Sequence, residues 1–234
     1  MAERTVVKEV KGQGKMAGKP VARLYSDGTV LLIDIRGSYP HIAKPYAGKN
    51  DRGEDQTPKY GIVGQLPKST HAPAKDLLIE AMNGLLKEAK VDPKTFPPEK
   101  KFLRNGDTSG KEENVGYWIV SAREERRPSV RDADRSKLKE GDSDIVEKFV
   151  GGHWFSLLIR PWTQNHKTYG KRVNAGLSAI QFVRKDETYG EGRISEDELD
   201  DTFDTSYEDD EENGGFDSDD DGLGGSSDDD MGGL

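Results

Sequence analysis

Cysteine is absent from this sequence. Without thiols the chain can form no disulfide scaffold, no thiolate zinc site and no cysteine nucleophile, and the absence fits a reducing compartment. The sequence also lacks any apolar run of the roughly 18 residues that a membrane span needs. Its Lys- and Gly-rich beginning has no apolar segment of the kind found in a secretory signal. These absences favour a protein of the cytoplasm.

Hydrophobic residues are scarce, at 32% of 234 residues, and the mean hydropathy is -0.85. Such low values indicate that part of the chain does not contribute to a packed core. The clearest such part is 195–234, which contains 18 acidic residues and no Lys or Arg. We predict that this segment, the acidic tail, is disordered.

The net charge of -9 conceals an asymmetry between the body and the acidic tail. Removing the tail's 18 acidic residues from the total of 44 leaves 26 against 35 basic residues, so 1–194 carries a net charge of +9. A basic body joined to an acidic tail is typical of a protein that binds a polyanion.

Turn signals divide the body into short β-type segments. A hairpin is expected at 21–36 around Asp27-Gly28, with further strands at 59–66, 115–123, 149–162 and 173–184. A helix is expected at 74–89, where Leu78, Met82 and Leu85 recur at helical spacing. Several strands with one helix and long loops suggest a single β-barrel-like domain, and the five-stranded OB-fold is one such architecture.

Aromatic and basic residues alternate along 36–60, which includes the first long loop of such a barrel. Bases stack on aromatic rings while cations follow the phosphates, so this pattern favours binding of a single-stranded nucleic acid. The same loop of an OB-fold often contributes to a ligand site. An ordinary solvated loop with tyrosine anchors is the alternative. The candidate residues are Arg36, Tyr39, Lys44, Tyr46, Lys49, Arg52, Lys59 and Tyr60.

The strand at 153–162 offers a second candidate surface. Alternation places Phe155 and Leu157 towards the core and Trp154, Arg160 and Trp162 on the opposite face. Both tryptophans could instead complete a core on a strand that is buried on both faces. The loop that follows could close over a DNA strand, and its candidates are Lys167, Tyr169, Lys171 and Arg172.

Signatures of catalysis are missing from the sequence. The four histidines are scattered without metal-binding spacing, and there is no Gly-Lys-Ser/Thr phosphate loop. The acidic tail lacks the rigid geometry that a Mg²⁺ site needs. We therefore expect a protein that is not an enzyme and that uses no cofactor or metal.

Four segments resemble, in the same order, the blocks of a family of tailed-bacteriophage single-stranded DNA-binding proteins. They are RGSYPHIAKPYAGKNDRGEDQTPKYGIVGQLPK (36–68), LRNGD (103–107), FVGGHWFSLLIRPW (149–162) and NAGLSAIQFVRKDE (174–187). The resemblance implies an OB-fold and sequence-tolerant binding of single-stranded DNA in the host cell cytoplasm, during phage DNA replication, recombination and repair. It also implies a homodimer. The acidic tail would cover the DNA groove or recruit replication proteins such as a polymerase, helicase or primase.

The predicted organisation is therefore mainly β. A flexible basic arm occupies 1–20, an OB-fold domain with one helix and an extra N-terminal hairpin occupies 21–194, and the disordered acidic tail follows at 195–234. Two other functions stay open from the residues alone. One is an RNA-binding or nucleic-acid chaperone OB-fold protein, since stacking and charge do not exclude RNA. The other is an interaction protein that binds basic partners through the acidic tail, although the positive body argues against it.

Overall fold

The structure is a computed structural model that describes residues 4–48, 53, 56–166 and 170–189. These residues form ten strands of one sheet and two α-helices, together with short 3-10 turns. The strands are β1 (Val6–Lys11), β2 (Pro20–Tyr25), β3 (Val30–Tyr46), β4 (Lys59–Pro67), β5 (Leu103–Asn105), β6 (Tyr117–Glu124), β7 (Ser129–Arg131), β8 (Lys137–Leu138), β9 (Trp154–His166) and β10 (Gly170–Arg184). The helices are α1 (Lys68–Glu88) and α2 (Ser143–Lys148).

Five of the strands close into a barrel. β3 pairs with β4, and β4 pairs with β6. β6 runs parallel to β10, β10 pairs with β9, and β9 returns to β3. A closed five-stranded barrel with one parallel contact, between its third and fifth strands, is an OB-fold. The predicted mainly β, five-stranded OB-fold barrel is therefore confirmed.

The barrel interior is built from alternate residues of the long strands. Leu32 and Ile35 of β3 stand opposite Leu157 and Phe155 of β9, and all four are fully buried. Burying each such side chain contributes about 1.5–3 kcal/mol. The predicted core face of 153–162 is thus the face that points inward, and Trp154, Arg160 and Trp162 lie on the other side of β9.

Helix α1 begins at Lys68, six residues before the predicted start at 74. The helix is kinked at His71, whose φ and ψ are not helical, and Pro73 follows directly. Because Pro73 sits in the first turn after this kink, it costs no hydrogen bond within a regular helix. Leu78 and Met82, two of the residues that predicted the helix, are buried against the barrel.

The prediction of a single helix was wrong, because α2 is a second one. It has six residues and only Ile145 buried, which is too short for helical periodicity to appear in the sequence. β7 and β8 were not among the strands predicted from the sequence. β7 is extended because it pairs in parallel with β10, with Val130 opposite Ile180, and the local sequence does not encode this tertiary contact.

The segment 1–20, which was expected to be a flexible basic arm, contains β1. β1 pairs with β2 with Glu9 opposite Arg23, and these two side chains form an ion pair of 2.7 Å. The Gln13 N–H donates to the Thr70 carbonyl at the start of α1. The hairpin predicted at 21–36 is present as β2 and the beginning of β3. The acidic tail lies outside the described residues, and none of the helices within them is both long and apolar enough to cross a membrane.

Candidate nucleic-acid interface

An open groove of about 1130 Å³ crosses the outer surface of β4 and β6. Its floor is formed by Gly61, Ile62, Val63 and Ile119. One wall is the second half of β3, and the other is formed by β5 and the loop that leads to β6. This volume exceeds the ~300–1,000 Å³ of small-molecule pockets. Its size suits a polymer rather than a small ligand.

Two exposed tyrosines stand in this groove. Tyr39 is 53% exposed and Tyr46 is 58% exposed. The Tyr46 ring stacks on the imidazole of His41, with ring centroids 4.7 Å apart. Burial, with a smaller contribution from the positive charge of Arg123, lowers the pKa of His41. A neutral imidazole under Tyr46 adds a flat, uncharged surface on which bases could stack.

Tyr39 is held by two residues of the opposite wall. Its hydroxyl donates to the Glu113 carboxylate at 3.2 Å and accepts from Lys111 Nζ at 2.9 Å. The Lys111 ammonium also lies 4.4 Å from the ring centroid. The backbone φ of Tyr39 is +48°, in the left-handed region that non-glycine residues rarely adopt. Such strained residues concentrate at functional sites.

Cations surround these rings. Lys59 reaches the groove from β4 and pairs with Glu125 at 3.3 Å, an exposed contact that DNA phosphates could replace. Arg123 lies on β6, and Arg104 on β5 donates to the Ser121 hydroxyl at 3.1 Å. Neither arginine forms an ion pair with another described residue. With Lys111, the groove thus combines positive charge with stacking surfaces.

The structure brings together Tyr39, Tyr46 and Lys59 of the residues predicted from 36–60. Lys44 is exposed on β3 outside the residues that line the groove, and Lys49 and Arg52 lie outside the described residues. Tyr60 needs a correction: at 9% exposure its ring belongs to the core, because it alternates with Lys59 on β4 and faces inward. It offers no stacking surface.

Arg36 is turned away from the groove. Its Nε donates to the Gly152 carbonyl at 2.8 Å and its Nη2 to the Glu187 carbonyl at 2.7 Å. The guanidinium also covers the Tyr189 ring at 4.4 Å. With these contacts Arg36 is part of the scaffold. Its guanidinium could contact a phosphate only if it gave up these hydrogen bonds and the Tyr189 ring.

The second predicted surface lies apart from the groove. Trp154 Nε1 donates to Asp186 at 2.5 Å, and Arg184 covers the Trp154 ring at 4.1 Å. Arg160 lies 3.6 Å from the Asp27 carboxylate, and Trp162 is exposed. None of the three lines the groove.

The remaining candidates lie near the connection between β9 and β10. Lys171 and Arg172 line a smaller cleft of about 250 Å³, together with Leu86 and Val91 from the end of α1 and the segment after it. Lys167 and Tyr169 lie outside the described residues.

Comparison with known proteins agrees with the geometry. The sequence model of a family described as the ssDNA-binding protein of Enterobacter phage Enc34 matches residues 28–213, more than three quarters of the chain. The chain belongs to this family of phage single-stranded DNA-binding proteins. Because the members of this family are DNA-binding proteins, the chain is a binding protein and not an enzyme.

Solved structures of the Enc34 protein superpose well on the chain. The structure in complex with ssDNA is 36% identical with a TM-score of 0.68, and the match covers 81% of this chain and 100% of that one. A C-terminal truncation of the same protein is 34% identical with a TM-score of 0.69, and the match covers 81% of this chain and 99% of that one. A third structure of that protein is 34% identical with a TM-score of 0.68, and the match covers 86% of this chain and 99% of that one. No curated protein matches the chain.

β1 and β2 precede residue 28, where the family match begins. Three residues that line the groove, Arg104, Lys111 and Arg123, were not among the candidates predicted from the sequence. Arg104 belongs to the short strand β5 and Lys111 to a polar loop, both far in sequence from Tyr39, so only the folded chain brings the three residues into one groove. No group of side chains suited to a metal ion occurs in the part of the chain that the structure describes.

Proposed function

We propose that the chain coats single-stranded DNA without sequence preference, with the DNA lying in the groove across β4 and β6. The observation that carries this proposal is the exposed pair Tyr39 and Tyr46 set among Lys59, Lys111 and Arg123. Aromatic rings accept any base, and cations follow the phosphates of any sequence. The Enc34 protein, solved in complex with ssDNA, supports the same ligand.

The proposal divides the predicted residues by their place in the structure. Tyr39, Tyr46 and Lys59 contact DNA, together with Arg104, Lys111 and Arg123. Lys44, Lys171 and Arg172 lie outside the residues that line the groove, and contacts with them would extend the bound DNA beyond it. Lys49, Arg52, Lys167 and Tyr169 stay predicted DNA contacts.

The cellular role follows from the ligand. A protein that holds single strands protects them during phage DNA replication, recombination and repair, in the host cell cytoplasm. The acidic tail regulates access to the groove by competing with DNA, since its carboxylates imitate phosphates and Phe203, Tyr207 and Phe216 imitate bases. When DNA displaces the acidic tail, the free tail becomes available to a replication partner such as a polymerase, helicase or primase.

A homodimer is also part of the proposal. β1 is the end strand of the sheet and exposes Val6 and Val7, the latter 64% exposed. An exposed edge strand can pair with the same strand of a second copy. Light scattering after size exclusion should show a dimer that Val7→Lys weakens. Val146→Lys, at an equally exposed valine on α2, should leave it intact. A monomeric wild type would contradict the dimer.

A titration separates the DNA proposal from its alternative. Labelled oligo(dT), oligo(U) and duplex DNA are titrated with full-length protein at two salt concentrations. We expect the tightest binding to oligo(dT) and a steep loss of affinity with salt, since bound phosphates release counterions. Tighter binding of oligo(U) than of oligo(dT) would favour an RNA-binding or chaperone protein. Absence of binding to either would contradict the proposal.

A further inference from the structure

The segment after β10 folds back onto the barrel. Residues 185–189 run along the Gly151-Gly152 turn, where the Tyr189 N–H donates to the Gly151 carbonyl at 2.9 Å. Gly152 has φ +102°, and a Cβ there would lie 2.1 Å from the Glu187 carbonyl oxygen. Only glycine allows this approach. Arg36 fixes the same segment through its bond to Glu187.

Tyr189 anchors this segment at one end of the barrel. Its ring is half-buried under the Arg36 guanidinium, and its hydroxyl donates to Gln65 Oε1 at 2.7 Å. Burial raises the pKa of Tyr189 to about 12, so the hydroxyl keeps its proton at neutral pH and remains a donor.

Gln65 transfers this contact to the loop before β6. It lies on β4 and is completely buried. Its Nε2 donates to the Glu113 carbonyl at 2.8 Å and to Asn114 Oδ1 at 3.0 Å. Because both amide hydrogens of Gln65 are used on this loop, the Tyr189 hydroxyl that binds its oxygen also fixes the orientation of the amide.

The loop held by Gln65 forms a wall of the groove. Ser109, Lys111 and Asn114 line the groove, and Asn114 Nδ2 donates to the Ser109 hydroxyl at 3.1 Å. Lys111 and Glu113 of the same loop hold the hydroxyl of Tyr39. A continuous set of hydrogen bonds therefore connects Tyr189 to the exposed ring of Tyr39.

We propose that Tyr189 is a positioning residue for the DNA groove, acting through Gln65 on the wall at 109–114. It touches no DNA itself. The inference rests on the proposed function, because the wall matters for DNA only if DNA lies in the groove. It also gives residues 185–189, which follow β10, a role in keeping the groove ready for its ligand.

Tyr189→Phe tests this inference, since the change removes the hydroxyl and leaves the ring under Arg36. The matched control is Tyr25→Phe on β2, where Arg4 covers the ring at 3.6 Å and the groove is not involved. Hydrogen exchange is measured first without DNA. In Tyr189→Phe we expect faster exchange of the amides at 109–116 and unchanged exchange in α1. Tyr25→Phe should alter neither region.

Affinity for oligo(dT) is the second readout. The loss of one hydrogen bond predicts a fall of about threefold to tenfold in Tyr189→Phe. If Tyr189 acts through the wall and Tyr39, the same substitution should have a smaller effect in a Tyr39→Ala background. An equal effect in both backgrounds would argue against the proposed route.

The two possible failures can be told apart. Unchanged exchange at 109–116 in Tyr189→Phe overturns the inference, whatever the protein binds. Wild-type affinity in Tyr39→Ala overturns the proposed function of the groove, while the exchange experiment still decides whether Tyr189 holds the wall.

Discussion

The ammonium of Lys111 lies 4.4 Å from the ring centroid of Tyr39 and donates a 2.9 Å hydrogen bond to its hydroxyl. The two residues belong to opposite walls of the groove. Their contact holds the Tyr39 ring in solvent at a strained backbone position with φ +48°. An aromatic ring that is already fixed loses little further freedom when a base stacks on it. The groove is thus organised for its ligand before the ligand arrives.

Replacing Tyr39 with alanine should weaken binding of oligo(dT) by a factor of roughly 5 to 160, because one stacked base contributes about 1–3 kcal/mol. Fluorescence anisotropy with a labelled oligonucleotide measures the change. Tyr25→Ala, on β2 away from the groove, serves as the control and should bind normally. Equal affinities of Tyr39→Ala and wild type would show that this ring stacks on no base.

The groove cations should determine the salt dependence. Removing one phosphate contact with Lys59→Ala or Arg123→Ala should reduce the slope of log K against log salt by about 0.7 for a single strand. Lys87→Ala, in the last turn of α1 and outside the groove, should leave the slope unchanged. A full wild-type slope in both groove variants would place the phosphates elsewhere.

The fold could be predicted from the sequence because its strands are long and strongly alternating. The buried face of β9 and the hairpin of β2 and β3 are examples. β1 and the short α2 could not be predicted in this way. β1 depends on its pairing with β2, and α2 depends on the packing of Ile145, so neither is determined by local propensity.

The site was only partly predictable. Tyr39, Tyr46 and Lys59 are close in sequence, so alternating aromatics and cations revealed them. Lys111 and Arg104 come from a distant loop and strand. Composition also cannot separate Lys59, which faces the groove, from buried Tyr60, because one residue's difference in register reverses the face of a strand.

Deletion of the acidic tail at 195–234 should raise affinity for oligo(dT) at low salt, because a competitor with 18 carboxylates is removed. The gain should shrink as salt rises, since screening weakens the competition. A tail of the same length with Asn and Gln in place of Asp and Glu is the control, and it should behave like the deletion. If neither variant differs from wild type at low salt, the acidic tail does not compete for the groove.

Acid stability should depend on the ion pair between Lys148 and Asp132, whose atoms lie 2.6 Å apart. The hydrogen bond from Lys148, helped by the Ala133 N–H, lowers the pKa of Asp132. A carboxyl with a lowered pKa stabilises the fold above its unfolded pKa of about 3.9, and this contribution disappears as the pH falls through the folded pKa. Lys148→Met should therefore reduce the free energy of unfolding at pH 6, and this deficit should disappear as the pH falls through the folded pKa of Asp132.

Urea unfolding at several pH values measures this difference. Lys137→Met on β8, whose ammonium makes no ion pair with another described residue, is the control and should follow wild type at every pH. A deficit in Lys148→Met that stays constant from pH 6 to pH 3 would mean that the ion pair is not its cause.

The central claim is that DNA lies in the groove of Tyr39 and Arg123 and not on the β9 face of Trp154 and Trp162. Oligo(dT) affinity of Tyr39→Ala/Arg123→Ala, compared with Trp154→Phe/Trp162→Phe at the same salt, tests it most directly. We predict that the groove variant loses at least about tenfold in affinity, whereas the β9 variant stays within about twofold of wild type. Wild-type affinity in the groove variant together with a large loss in the β9 variant would contradict the account.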